Sequence, residues 1–358
     1  MTARRVVAFG GGHGLSASLR ALRHCAPELD LDITAVVTVG DDGGSSGRLR
    51  AERGGLPPGD LRQALVALAG DHPATRRSAG LFQHRFAAVP AGVPPLDAAD
   101  PDPAATHGRG PDHDDPGANG PGGPASTRAD GLAGHAVGNL VLCGLMELLG
   151  DPVAALEHAG AMLGAVGRVL PMSRQPVGIE ARVRGADPAA PDEVRTVRGQ
   201  HQVAVTTGRV ESLRLTPAAP AACAEAIEAI MAADWLIFGP GSWYTSVLPH
   251  LLVPQLADAI VSTSARRLVT LNLAAEKETL GLSAADHLAA LHWYLAELKV
   301  DLVLADPRAV GDPEPVERAA ESLGARLVLA PVAVTDGTPR HDPAALGAAL
   351  VPVLGADR

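Results

Sequence analysis

Aromatic side chains make up only 3% of this 358-residue chain, and cysteine occurs three times, at Cys25, Cys143 and Cys223. The cysteines lie far apart with no C-x-x-C spacing, which excludes a zinc knuckle and a disulfide framework and leaves them as small core residues. No stretch of about 18 apolar residues occurs, so no membrane-spanning helix is expected. The apolar run in MTARRVVAFGGG is far too short for a signal h-region, and the cytoplasm is the expected compartment. Basic residues are outnumbered, with Lys+Arg 30 against Asp+Glu 40 and a formal net charge of −10. A broad non-specific nucleic-acid surface needs a basic field, so nucleic acid is not the expected partner, whereas local anion pockets are compatible with this charge. No H-E-x-x-H or other metal-ligand spacing is present, so no protein-caged metal is expected; any metal would be Mg²⁺ bridging phosphates.

What the chain has in quantity is apolar residues, 46% of the total, enough for a large core in one large or two closely joined domains. Arg4–Phe9 and Ile33–Val39 read as short strands around an amphipathic segment, Leu15–His24, the βαβ pattern of a parallel sheet. Helices are expected over Asp60–Ala69, Arg76–Phe86, Gly138–Leu149, Pro152–Val166, Ala221–Ala233, Ala284–Leu298 and Pro343–Val353. Further strands are expected over Trp235–Phe238, Leu268–Leu273, Leu302–Ala305 and Arg326–Leu329. Alternating segments at Val177–Arg184, Val194–Val205 and Val210–Thr216, separated by turn residues, predict a small antiparallel addition at 177–216. Residues 93–131, rich in Pro, Gly and Asp, cannot fold alone and read as a disordered insertion. The expected fold is α/β, a Rossmann-like three-layer α/β/α sandwich with a small antiparallel β addition.

Three glycine-rich turns carry the chemistry. Gly12-His13-Gly14-Leu15-Ser16-Ala17, with Gly11 before it, fits G-x-G-x-x-A after a strand and at the mouth of a helix. Glycine there lets backbone approach a ligand, and free N–H groups of a helix start attract phosphate. Asp41 and Asp42 stand near where a dinucleotide fold places its ribose-binding acid. A nicotinamide or flavin nucleotide, another phosphate-bearing nucleotide and a merely tight turn all fit the pattern. A dehydrogenase would also need a proton-donor constellation, and none is recognisable. No G-K-[ST] follows, which excludes a P-loop ATPase.

The second turn, Asp41-Asp42-Gly43-Gly44-Ser45-Ser46-Gly47-Arg48, joins two carboxylates to a flexible loop and a guanidinium. Asp41 and Asp42 could hold a ribose, a base or Mg²⁺, and they are the candidate catalytic residues should there be turnover; Arg48 could meet a phosphate bidentately. A solvated capping loop is the plainer alternative. G-x-S-x-G also fits here, but a nucleophile elbow needs a strand running into the serine and an apolar helix leaving it, and neither is present. In the third turn the strand Trp235–Phe238 leads into Gly239-Pro240-Gly241-Ser242, whose N–H groups and hydroxyl could grip an anion or simply start a helix. Two such turns at the carboxyl edge of one sheet suit a diphosphate or phosphosugar. Asn139, in the first turn of the apolar helix after His135, offers an acceptor and a donor to a ligand, or a cap.

FGGGHGLSASLRAL, VTVGDDGGSSGRLR, PPGDLRQAL, GHAVGNLVL, FGPGSWYTSVLP and RHDPAAL follow one another in the order seen in the gluconeogenesis-factor family (YvcK type), related to the 2-phospho-L-lactate transferase (CofD) family, and the chain resembles them over nearly its whole length outside 93–131. The resemblance implies a single CofD-like domain over 1–358, a cytoplasmic bacterial protein, and binding of UDP-sugars such as UDP-N-acetylglucosamine. It further implies a link to cell shape and wall synthesis during gluconeogenic growth, through a protein partner the sequence does not identify, and it is compatible with a homo-oligomer. Carried over, Gly11, Gly12, His13 and Gly14 would lie against the phosphates, Asp41 and Asp42 would face the cleft, and Asn139 and Arg340 would hold the ligand. Family members often carry threonine where this chain has His13, so a loop hydroxyl is missing. The transferase relatives move a phospholactyl-type group from a nucleotide diphosphate donor with Mg²⁺; the motifs read closer to the gluconeogenesis-factor branch, hence to a ligand-binding regulator.

Overall fold

A computed structural model describes residues 3–88, 131–187 and 189–356. The insertion expected at 93–131 lies outside the described residues apart from Gly131. Residues up to His84 and from Ala136 onward group as one compact unit, and Arg85–His135 as another.

Seven parallel strands form the main sheet: β1 (Arg4–Gly10), β2 (Leu31–Val37), β3 (Arg168–Pro171), and, after the small sheet, β7 (Trp235–Phe238), β8 (Arg266–Thr270), β9 (Leu302–Ala305) and β10 (Arg326–Leu329). Their order is β10-β9-β8-β7-β1-β2-β3. The chain leaves β1 toward β2 and β3 on one side, then returns on the other with β7, so the topological switch point lies between β1 and β7. In open α/β sheets ligands bind at such a point, outside the carboxyl ends of the strands.

The central strands carry continuous apolar runs because both faces are covered: β1 is buried from Val6 to Gly10, and all of β7 is buried. Phe9 pairs in register with Val36 on β2 and Phe238 on β7. The Phe9 and Phe238 rings stack at 4.8 Å, and the buried His250 imidazole meets Phe9 edge-on. Truncating Phe9 to Ala in such packing costs about 3–5 kcal/mol.

Helix α1 (Gly12–Cys25) connects β1 to β2, and α2 (Gly44–Arg53), α3 (Pro58–Leu68), α4 (Pro73–Gln83), α5 (Val137–Leu149) and α6 (Pro152–Leu163) follow β2. The flexible loop expected over Asp41–Arg48 is helical from Gly44, and the helix runs on to Arg53: it buries Ser45, Ser46 and Leu49 and needs no wide apolar stripe. Strand β3 was not expected; four residues at the sheet edge give too little pattern.

The antiparallel addition is three-stranded, β4 (Gly178–Arg184), β5 (Val194–Arg198) and β6 (Arg209–Thr216), in the order β5-β4-β6. The largest boundary difference is in the second strand: that expected over Val194–Val205 stops at Arg198. Gly199, at φ 95°, turns the chain into α7 (Gln200–Val205). The alternation in Gln200–Val205 is weak, and a tertiary contact described below sets the helix.

Candidate functional site

The three glycine turns meet at the switch point. The first follows β1, and its Gly14 lies against the third: a Cβ on Gly14 would stand 2.3 Å from the Pro240 carbonyl oxygen and 2.4 Å from Gly241 Cα. No side chain fits there. Ser18 Oγ, in the second turn of α1, donates to the Gly239 carbonyl at 2.8 Å and ties the two turns together.

Helix α1 starts from extended backbone at Gly11 with no side-chain cap. Gly12 N–H donates to the Asp60 carboxyl, whereas the N–H groups of His13 and Gly14 have no partner among the described residues. Two first-turn amides of a fourteen-residue helix thus stay available beside an exposed His13, the arrangement that attracts an anion.

Asp60, in the first turn of α3, lies beneath this turn. It is buried, accepts the Thr38 hydroxyl at 3.2 Å, and sits so close to Gly11 that a Cβ there would stand 2.4 Å from Oδ2. Burial pushes its carboxyl up to about 7, and the negative Asp41 adds to this; Thr38, Gly12 N–H and Arg62 oppose it. Asp41 turns its Oδ1 to Gly43 N–H at 2.9 Å and its Oδ2 over Gly59. The two carboxylates form a pair at the carboxyl end of β2.

The two adjacent aspartates therefore do different things. Asp42, expected to face the cleft with Asp41, accepts the backbone N–H of His201 at 2.8 Å and packs on Gly199. It anchors α7, and Gln200 on that helix donates to the Thr245 carbonyl at 3.0 Å, so α7 bridges the second turn to the third.

Asn139 and Ser45 are also brought together. Arg62 Nε donates to Asn139 Oδ1 at 2.8 Å and Asn139 Nδ2 donates to Ser45 Oγ at 2.9 Å; Arg62 also reaches Gln83. Asn139 and Arg62 are 1% and 3% exposed. Asn139 thus serves first as a strut joining the starts of α2 and α5 to α3. Arg48 lies exposed on α2.

At the third turn Asn272, after β8, accepts Gly241 N–H at 2.8 Å and donates to the Gly241 carbonyl at 2.9 Å. Tyr244 N–H and the Ser242 hydroxyl are taken by Glu278, so these donors expected for a ligand anion are engaged by the chain itself. Arg340 lies farther along the carboxyl edge. Asp306 at the end of β9 accepts the N–H groups of Val332 and Ala333, and the imidazole of His341 bonds the Leu271 backbone, which draws 332–341 back across β9 and β8. The Arg340 guanidinium is exposed and paired with Asp336 at 2.7 Å.

Sequence reading missed Asp60, Arg62, Asn272 and Glu278 as site residues. PPGD read as a helix start and as part of a family motif without a role for Asp60 or Arg62, and LNLAAEKETL carries no motif. No group of three or more His, Cys, Asp or Glu able to hold a metal ion occurs among the described residues, and no helix among them is long and apolar enough to cross a membrane.

The family profile described as 2-phospho-L-lactate transferase CofD matches residues 6–328. A Mycobacterium tuberculosis protein named "Putative gluconeogenesis factor" is 45% identical over 356 residues, 98% of this chain and 91% of that protein. The "Gluconeogenesis factor" of Bacillus subtilis is 33% identical over 325 residues, 90% of this chain and 84% of that one. A crystal structure of a UPF0052-family protein from Bacillus halodurans superposes with TM-score 0.75 at 30% identity, covering 98% of this chain and 99% of that chain.

Proposed function

The chain belongs to the CofD family, within its gluconeogenesis-factor relatives, and on that premise we propose that it is a cytoplasmic regulator that binds a UDP-sugar such as UDP-N-acetylglucosamine and acts on cell shape and wall synthesis during gluconeogenic growth. The observation that carries the binding is the pair of amides, His13 and Gly14, that have no partner among the described residues, at the uncapped start of α1, set at the switch point between β1 and β7. A diphosphate there meets the positive end of the helix dipole and two aligned donors. The carboxylates Asp41 and Asp60 stand on the β2 side, where ribose or sugar hydroxyls would find acceptors. A regulator of this kind needs a preformed pocket and differential affinity of the ligand for two states of a surface.

Calorimetric titration with UDP-N-acetylglucosamine tests this. Saturable binding is expected, weakened in Asn139→Ala, which takes one partner each from Ser45 and Arg62, and in Arg340→Ala. No heat at millimolar ligand contradicts it.

One observation favours a second reading, a Mg²⁺-dependent transferase acting on a nucleotide diphosphate donor. Asp41 and Asp60 are like charges close enough to repel, which a divalent cation would relieve. Mg²⁺ is commonly held by one or two carboxylates together with substrate phosphates, so this donor set fits it. Asp41 and Asp60 would hold the ion, which would supply charge neutralisation to the phosphates, while the α1 amides orient the diphosphate. Mass spectrometry after incubation with deazaflavin alcohol, activated donor and Mg²⁺ decides; no adduct counts against this reading.

A further inference from the structure

Glu278 occupies a place that charge alone makes costly. It lies on the short turn Lys277–Thr279 and is 2% exposed. Its Oε1 accepts the Tyr244 N–H at 2.9 Å and the Ser242 hydroxyl, with the Thr245 hydroxyl also directed at the carboxyl. Its Oε2 is buried and has no partner among the described residues. Burial pushes the acid up to about 7, and the neighbouring Glu276 carboxylate adds to this. A buried acceptor with no donor costs free energy and calls for an explanation.

The position supplies one. The Ser242 hydroxyl and Tyr244 amide are the donors that a phosphate at the third glycine turn would use, and a protein carboxylate already holds them. Gly14 touches Gly241, so this charge stands one residue from the contact between the first and third turns. Above about pH 7, where this acid is ionised, a second anion brought to the third turn would be repelled by Glu278 at close range in a medium of low dielectric.

We propose that Glu278 is a specificity-determining residue of the candidate site: its carboxylate turns anionic groups away from the Gly239–Ser242 turn and confines the ligand's phosphates to the start of α1. This rests on the nucleotide-sugar reading of the site and adds to it which turn carries the phosphates. A residue that merely braced Ser242 would do so equally well as an amide, since glutamine keeps the Oε1 acceptor without the charge.

The full-length protein and two variants, Glu278→Gln and Glu278→Asp, are titrated calorimetrically at pH 8 with inorganic pyrophosphate and, separately, with UDP-N-acetylglucosamine. Glu278→Gln should bind pyrophosphate about tenfold more tightly than the wild type, and Glu278→Asp, which keeps the charge, should show no such gain. Equal or weaker pyrophosphate binding by a Glu278→Gln protein with native circular dichroism overturns the proposal. Should Glu278→Gln not fold, a crystal structure of the wild type with pyrophosphate decides independently: Ser242 Oγ and Tyr244 N must still contact Glu278, and a phosphate on either of them overturns it. A wild type that ignores UDP-N-acetylglucosamine while Glu278→Gln gains pyrophosphate affinity rejects the nucleotide-sugar reading and keeps the charge assignment; the converse rejects only the charge assignment.

Discussion

Gly14 and Gly241 touch backbone to backbone, so closely that one methyl group on Gly14 would overlap Gly241 Cα at 2.4 Å. Two turns separated by more than two hundred residues in sequence thereby become one wall of the site. Gly14→Ala should destabilise the fold by about 2 kcal/mol or more, since the obstruction is backbone and cannot rotate away. Urea denaturation checks this; a loss below about 0.5 kcal/mol shows that the turns do not need their contact.

Asp60 gives a dependence on pH. Folded, its carboxyl keeps a proton up to about pH 7; unfolded, only to its ordinary value near 3.8. Between these values the folded state holds more protons, so this group makes stability fall as pH rises from about 4 to 7 and leaves it lower above. Asp60→Asn should flatten that part of the profile of Tm against pH. An unchanged slope in the variant assigns it elsewhere.

Asn139→Ala should do two things at once. It removes the Asn139 Oδ1 acceptor from the buried Arg62 Nε, which costs about 1–3 kcal/mol, and it takes one hydrogen-bond partner from Ser45 at the start of α2. Thermal unfolding and ligand titration measured on the same samples separate the effects. Asn139→Asp, which keeps an acceptor for Arg62, should recover most of the stability; failure to recover any contradicts the strut.

Asp42→Ala should loosen α7 without emptying the site. The lost carboxylate-to-His201 hydrogen bond is worth about 1 kcal/mol, and hydrogen exchange at residues 200–205 should speed up, whereas Asp41→Ala should act on ligand binding instead. Equal effects of the two substitutions on affinity would mean that Asp42 also serves the ligand.

Much of this was legible in the sequence where local pattern coincides with tertiary role. The continuous apolar runs VVAF and WLIF became the two strands flanking the switch point, because burial on both faces demands such runs. The glycine turns were legible for the same reason: a close backbone approach tolerates no other residue. Division of labour between neighbours was not. Asp41 and Asp42 are chemically alike, and only the position of α7 sends one to Asp60 and the other to His201. Glu278 and Asn272 lie in a stretch without motif, and their value comes from a loop after β8 folding back onto a turn after β7, a long-range contact that no periodicity encodes.

The central claim is that the open amides at the start of α1 receive a diphosphate. A crystal structure of the protein with UDP-N-acetylglucosamine tests it most directly. The account predicts phosphate oxygens within about 3 Å of the backbone nitrogens of His13 and Gly14, with Asp41 and Asp60 on the ribose or sugar side. A nucleotide seated anywhere else, leaving those two amides without a phosphate, contradicts it.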